Sequence, residues 1–159
     1  MIKAVDQFLN DVRWDEDLQY LVIDMPPGTG DVPLTIAQRL PRASLLLVTL
    51  PETSSVRVAG RTGNMALQTG NEILGVVENM SCLACPDCGA VLHPFGRDGG
   101  HQLAEQLKVP LLAQVPMDAD LSSGREKAGL LVDDRHSGAG DAILQLARHL
   151  SARCAVPRC

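Results

Sequence analysis

The chain has 159 residues, of which 45% are hydrophobic, so it is long enough for one domain with a sizeable apolar core. Its net charge of −5 provides no basic field that would gather nucleic acid. No apolar run approaches the ~20 residues of a membrane span, and residues 1–6 are not of signal-peptide type. The composition therefore predicts a cytoplasmic protein that binds neither nucleic acid nor a membrane.

Short apolar runs alternate along the chain with segments of helical periodicity. Residues 1–12 have apolar side chains on one face of a helix. Continuous apolar runs then predict strands buried on both faces, at residues 20–23, 44–50, 72–78 and 111–115. Helices are predicted at residues 32–40, 55–68, 98–107 and 137–150, with a helical turn at 121–127. This alternation predicts an α/β fold with a parallel sheet flanked by helices.

Polar residues and glycines predict where two of these helices begin and end. Asp31 is predicted to cap the N-terminus of the helix that follows the first strand. Thr53 or Ser54 is predicted to cap the next helix, and Gly70 to end it. The tail, residues 153–159, is predicted to be frayed.

A carboxylate and a glycine-rich loop follow the first predicted strand directly, in the sequence Asp24-Met-Pro-Pro-Gly-Thr-Gly-Asp31. The two prolines lack N–H donors and continue neither strand nor helix. Gly28 and Gly30 allow positive φ and a close approach of a ligand to the backbone. An apolar strand that ends in Asp and opens into such a loop and a helix is typical of the Walker B element of P-loop nucleotidases, in which the acid holds Mg²⁺. The alternative is an Asp that only caps a turn.

Polar or loop-forming residues also end the other predicted strands, among them Pro51, Asn79, Pro116 and Asp118. Because the carboxyl ends of parallel strands meet at one edge of an open sheet, ligands bind there. The pattern predicts a ligand site at this edge. Taken singly, Asn79 is also compatible with a turn residue, and Asp118 with the N-cap of the following helical turn.

Three of the five cysteines are clustered, and Cys85-Pro-Asp-Cys88 is predicted to form a hairpin. In a reducing compartment such clusters indicate metal or redox chemistry. Two thiolates at this spacing supply half of a tetrahedral zinc site or half of the ligands of a [4Fe–4S] cluster.

The sequence leaves open which further residues would complete a metal site with this cysteine pair. Cys82 offers a third thiolate, Cys154 and Cys159 could complete a zinc site within the chain, and His93 could be a zinc ligand. A thioredoxin-type redox pair is disfavoured, because no helix begins right after the first cysteine of the pair to lower its pKa.

The segment from Asp24 to Asp31 resembles the switch II segment of the Mrp/ApbC family, whose members are iron–sulfur cluster carriers with a MinD-like, deviant Walker A ATPase fold. The resemblance extends over residues 2–150 but covers only the C-terminal part of a family member. The chain contains no Gly-x-x-x-x-Gly-Lys-Ser/Thr sequence. We therefore expect residues 1–152, with a cysteine loop at 80–97, to be the C-terminal portion of a P-loop ATPase domain that lacks its P-loop unit.

This resemblance implies a role for each part of the predicted edge site. Asp24 would be the catalytic residue that orients Mg²⁺ through water, and the loop of Gly28, Thr29 and Gly30 would respond to the γ-phosphate of ATP. Asn79 would read adenine, flanked by Pro116 and Asp118. Because the phosphate-binding loop is missing from the sequence, this chain alone is expected to bind ATP weakly or not at all and not to hydrolyse it.

The resemblance also implies what the cysteines carry. Cys85 and Cys88 would ligate a [4Fe–4S] cluster shared across a homodimer, which the protein passes to apo iron–sulfur proteins. In the family this carriage is coupled to ATP binding and hydrolysis. The alternative is a structural zinc-binding module, or an inactive fragment of a P-loop ATPase without cluster transfer.

The family fold raises one further expectation about the sheet. In this fold the P-loop strand lies between the strands predicted at residues 20–23 and 44–50. Without it, two sheet edges would be unpaired, or the gap would be closed by rearrangement. We hypothesise that the chain is a fragment, the product of a mis-started reading frame, or half of a split protein.

Overall fold

The structure is a computed structural model that describes residues 7–8, 11–118 and 138–154. The elements within these residues are helices α1 (Asp31–Arg39), α2 (Thr53–Thr69), α3 (Gly99–Leu107) and α4 (Gly138–Arg153), and strands β1 (Leu45–Thr49), β2 (Ile73–Asn79), β3 (Leu83–Ala84), β4 (Val91–Leu92) and β5 (Leu111–Val115). Most of the helix predicted at residues 1–12, and all of the turn predicted at 121–127, lie outside the described residues.

The main sheet is parallel, with the strand order β1-β2-β5. The continuous apolar runs predict this arrangement correctly, because the central strand of a parallel sheet has helices over both faces. The first six residues of β2 are all buried. A separate antiparallel pair, β3 and β4, forms the hairpin that interrupts the chain between β2 and α3.

Side chains that alternate along β2 face two separate cores. Val76, fully buried, packs in a cluster with residues of α2 and α3, including Ala66 and Leu103. Val77 points to the opposite face and packs with Ala139, with α4 covering that side. The sheet is therefore a central layer between helices. No helix in the described part of the chain is long and apolar enough to cross a membrane.

The strand predicted at residues 20–23 is wrong. These residues belong to no strand in the structure, and the Val22 side chain is 91% exposed. A strand requires a neighbour with which to exchange backbone hydrogen bonds, and none of the described strands pairs with this run. Strand β1 therefore lies at an edge of the described sheet, since β2 is its only described partner. Apolar content alone therefore misidentifies this run.

The predicted helix caps are partly wrong. α1 begins at Asp31 itself, with Gly30 at the N-cap position and no side-chain cap. Glu52 rather than Thr53 or Ser54 occupies the N-cap position of α2, again without a side-chain cap. Gly70 does end α2 in the left-handed conformation, as predicted.

The last helix is longer than the pattern predicts, and its end is anchored to the sheet. α4 extends to Arg153, which the sequence assigns to the frayed tail. The Arg153 guanidinium donates a hydrogen bond to the Leu74 carbonyl at 2.9 Å and forms an ion pair with Glu72 at 2.9 Å. These contacts, invisible in the sequence, fix the C-terminal turn of α4. Residues 155–159 lie outside the described residues.

Candidate functional site

The carboxyl ends of β2 and β5 lie side by side at one edge of the sheet. Asn79, the last residue of β2, is opposite Val115, the last residue of β5. Pro116 and Asp118 follow β5 directly, so the structure brings these two loop positions to the same edge as Asn79.

The Asn79 side chain takes part in the turn that leaves the sheet. Its Oδ1 accepts a hydrogen bond from the Met80 N–H at 2.9 Å, and Met80 is in the left-handed conformation, with φ 54°. The side-chain carbonyl of Asn79 therefore stabilises a turn, as one of the two interpretations of this residue predicts. Within the described residues the Nδ2 group has no hydrogen-bond partner, so its N–H donors are available to a ligand.

The cysteine segment is tied to the same edge of the sheet. The Ser81 N–H donates to the Val115 carbonyl at 3.0 Å, and the Met117 N–H donates to the Cys82 carbonyl at 2.7 Å. These two hydrogen bonds extend the β2–β5 contact beyond the strands. The base of the hairpin is therefore fixed directly beside the Asn79–Pro116 region.

Cys85 and Cys88 lie at the tip of the predicted hairpin, which the structure confirms. Leu83 and Ala84 of β3 pair with Leu92 and Val91 of β4. Beyond that ladder the Cys85 N–H donates to the Ala90 carbonyl, and the Gly89 N–H donates to the Cys85 carbonyl, both at 2.9 Å. Both cysteines are free thiols; Cys88 is exposed and Cys85 half-exposed. One short loop thus presents two thiols to solvent.

Backbone donors at the tip favour the thiolate form of Cys85. The backbone N–H of Cys88 contributes most, followed by the backbone N–H of Asp87 and then the Cys88 thiol; together they lower the pKa of Cys85 below its ordinary value. Hydrogen bonds to sulfur stabilise the charged form. The thiolate is also the form that ligates metal, so the local geometry prepares this side chain for coordination.

The structure describes two of the other candidate metal ligands near the hairpin, His93 and Cys82. Among the described residues no three His, Cys, Asp or Glu side chains come together as a metal site. His93 Nδ1 lies 2.9 Å from the Ser81 carbonyl; because a carbonyl only accepts, Nδ1 carries the proton in this contact. Cys82 is half-buried at the hairpin base. Cys159 lies outside the described residues.

Asp24 does not follow a strand, and the glycine-rich loop contacts α2 through Gly28. Asp24 is exposed and in no regular element. Gly28 has φ 91°, which uses the conformational freedom predicted for it, and its carbonyl accepts from Thr62 Oγ1 of α2 at 3.3 Å. Thr29 and Gly30 are exposed and lead into α1. In the described residues no hydrogen bond joins this loop to Asn79 or Pro116.

Sequence reasoning missed Glu78, a buried acidic residue that directly precedes Asn79 on β2. It is 1% exposed, and its carboxylate accepts hydrogen bonds from the Gly100 N–H at 2.6 Å and from Gln114 Nε2 at 2.8 Å. It thus fixes the start of α3 beside the end of β2. The available signal was a lone acidic residue in an apolar run, followed downstream by two consecutive glycines that allow such close approach.

The sequence and the fold both have close counterparts among known proteins. Residues 1–151 match the family described as NUBPL iron-transfer P-loop NTPase. The chain is 44% identical over 158 residues to an iron-sulfur cluster carrier protein of Mycobacterium leprae, covering 95% of this chain and 41% of that protein. It is 35% identical over 154 residues to the protein of the same description from Bacillus subtilis, covering 97% of this chain and 43% of that protein. The chain therefore spans less than half the length of these curated relatives.

Solved structures share the fold. A nucleotide-binding protein from Archaeoglobus fulgidus, in complex with ADP, has a TM-score of 0.66 and 38% identity, covering 76% of this chain and 49% of that one. The MinD cell division protein of Aquifex aeolicus has a TM-score of 0.63 and 22% identity, covering 98% of this chain and 60% of that one. The predicted fold class, an α/β fold of the MinD-like P-loop NTPase type, is confirmed.

Proposed function

The chain belongs to the NUBPL iron-transfer P-loop NTPase family, and on this premise we propose that it carries an iron–sulfur cluster and delivers it to apo iron–sulfur proteins. The observation that supports this function most directly is the hairpin tip, where Cys85 and Cys88 are free and accessible and the pKa of Cys85 is lowered. A carrier must both bind and release its cargo, and ligands on an exposed loop allow an acceptor's thiolates to reach the cluster.

We propose that the cargo is a [4Fe–4S] cluster held between two copies of the chain. A cluster of this type takes four thiolates, and the hairpin supplies two. The hairpin has apolar side chains that a partner could cover: Val91 and Leu92 of β4 are 57% and 51% exposed and, as consecutive strand residues, lie on opposite faces. A second hairpin packed against either face would bury one of them and bring the other two thiolates to the cluster.

The nucleotide-linked part of the proposal concerns the sheet edge. We assign ATP binding to Asn79, Pro116 and Asp118, which lie at or just after the carboxyl ends of β2 and β5. We assign the response to the γ-phosphate to the loop of Gly28, Thr29 and Gly30. Asp24 would act on Mg²⁺, which neutralises the phosphate charges when it is bound. Support comes from the ADP complex of the Archaeoglobus fulgidus protein at 38% identity.

The test is metal content after reconstitution without oxygen. We expect about two iron and two sulfide per chain in a dimer, because one [4Fe–4S] cluster is shared by two chains. The variant Cys85→Ser/Cys88→Ser should lose both the iron and the dimer. Cys154→Ser is the matched control, because Cys154 lies at the end of α4, outside the hairpin. Stoichiometric zinc in a monomer without iron uptake would overturn the proposal and favour a structural zinc module.

A further inference from the structure

A cavity of about 280 Å³ opens between the start of α2 and the segment that follows the cysteine hairpin. Its apolar wall consists of Pro51, Val56 and Phe95, of which Pro51 is buried and the other two are half-buried. Its polar wall includes Arg57, Arg97 and Gln102. The cavity therefore combines an apolar wall with guanidinium and amide donors. Such a lining suits a ligand in which an anionic group is attached to an apolar group.

The two arginines in this cavity have no partner among the described residues. Within the described part of the chain neither Arg57 nor Arg97 forms a hydrogen bond or an ion pair. The one carboxylate in the lining, that of Glu52, accepts a hydrogen bond from Ser54 Oγ at 2.6 Å. The cavity lining therefore holds two guanidinium groups against one carboxylate, a local excess of positive charge in a chain of net charge −5. Planar guanidinium groups bind carboxylates bidentately.

The backbone around the cavity adds to this preference. Thr53, the first residue of α2, lies in its lining, and the first N–H groups of a helix have no partner within the helix. Partial positive charge at a helix N-terminus favours an anion. This contribution supplements the two guanidinium groups, which provide most of the charge.

The position of the cavity relates it to the hairpin. Only two residues, His93 and Pro94, separate β4 from Phe95, and the Gly96 N–H donates to the His93 carbonyl at 3.2 Å. The same His93 ring contacts the Ser81 carbonyl at the hairpin base. One wall of the cavity is thus a direct, hydrogen-bonded continuation of the cysteine hairpin.

We propose that this cavity binds an Asp or Glu carboxylate, together with a neighbouring apolar side chain, of the protein that receives the cluster. The carboxylate lies between Arg57 and Arg97, and the apolar side chain contacts Phe95 and Val56. Such docking holds the acceptor beside the hairpin during transfer. The identity of the partner as a cluster acceptor rests on the proposed carrier function, whereas binding of an acidic peptide does not.

The test uses the full chain and a peptide titration followed by backbone amide chemical shifts. The probe is Ac-Leu-Asp-Glu-Leu-NH₂, with Ac-Leu-Asn-Gln-Leu-NH₂ as the uncharged peptide and inorganic phosphate as the free anion. We expect the acidic peptide to shift the amides of Thr53, Gly96 and Arg97, and to bind more weakly as salt rises. Equal shifts with the uncharged peptide would overturn the proposal, and so would tighter binding of phosphate than of the acidic peptide.

Charge-neutral variants locate the site. Arg57→Gln/Arg97→Gln should weaken peptide binding by about tenfold or more, since hydrogen bonds to charged groups are lost. Arg61→Gln is the matched control: Arg61 is exposed on the same helix but outside the cavity lining. Equal affinity of the double variant and the control would overturn the assignment. Iron and sulfide content, measured on the same variants, should be unchanged. If the carrier function is wrong, the cluster will be missing from every sample. If the docking site is wrong, the cluster will be present but the acidic peptide will not bind.

Discussion

The Glu78 carboxylate accepts a hydrogen bond from the Gly100 N–H at 2.6 Å, so a buried acidic side chain on the central strand holds the first turn of α3. The second carboxylate oxygen accepts from Gln114 of β5. One side chain thus connects two strands and a helix at the base of the cysteine hairpin.

Replacing Glu78 by Leu should destabilise the fold. The change leaves the Gly100 N–H and the Gln114 amide without their acceptor, which costs about 1–3 kcal/mol of unfolding free energy. Glu78→Gln should cost less, because an amide oxygen can still accept and Gln114 can turn its amide to match. Urea unfolding measures both. Glu105→Gln, at an exposed position of α3, should leave the midpoint unchanged. A Glu78→Leu chain as stable as the wild type would contradict this role.

Two glycines in α2 should respond in opposite ways to alanine. A methyl group at Gly60 would lie 3.5 Å from Leu103 Cδ1, an ordinary contact, whereas at Gly63 it would lie 2.5 Å from Leu107 Cδ1 and 3.1 Å from Leu47 Cδ1. We expect Gly60→Ala to stabilise the chain by up to about 1 kcal/mol, because alanine favours helix. Gly63→Ala should destabilise it by about 1–3 kcal/mol through overpacking. Thermal unfolding of the pair is the measurement, and a stabilised Gly63→Ala would show that α2 and α3 pack less closely.

In the metal-free chain the alkylation rate of Cys85 should rise at a lower pH than that of an ordinary thiol. Its pKa is lowered mainly by backbone donors of Cys88 and Asp87, so the reactive thiolate is present at lower pH. Iodoacetamide labelling across a pH series, read by mass spectrometry of the Cys85 peptide, gives the midpoint. Cys88→Ser retains the backbone donors and should keep most of the effect. The urea-unfolded chain is the control, and an identical midpoint there would refute the hydrogen-bond explanation.

This chain by itself should bind MgATP weakly or not at all. Its sequence contains no Gly-x-x-x-x-Gly-Lys-Ser/Thr segment, so the backbone amides, lysine and hydroxyl that such a segment places around the phosphates are not supplied. The proposed contacts of Asn79 and Pro116 with the base would not replace these phosphate contacts. Isothermal titration with MgATP tests this, with a relative that contains the phosphate-binding segment as the positive control. Micromolar affinity for the isolated chain would contradict the prediction.

The predictions that succeeded depend on local pattern. The runs that became β1, β2 and β5 are mostly apolar, because residues of these strands pack in cores on both faces of the sheet. Gly70 ends α2, since only a residue without Cβ takes that conformation freely. The Cys85–Cys88 spacing with Pro86 predicts a hairpin that depends on contacts within a few residues. For the same reason the hairpin that carries the cysteine pair was predictable without knowledge of the fold.

The features that only the tertiary structure decided depend on partners distant in sequence. Residues 20–23 read as a buried strand, yet Val22 is 91% exposed, because a strand exists only when another strand pairs with it. Glu78 is buried because Gly100 and Gln114, 22 and 36 residues away, supply its hydrogen bonds. Arg57 and Arg97 share a cavity only because α2 and the segment after the hairpin meet. The sequence by itself determined which segments are apolar and where the thiols cluster, since these are local properties. Packing between distant segments decided which charged side chains lie together, which polar side chains are buried and which apolar run has no strand to pair with.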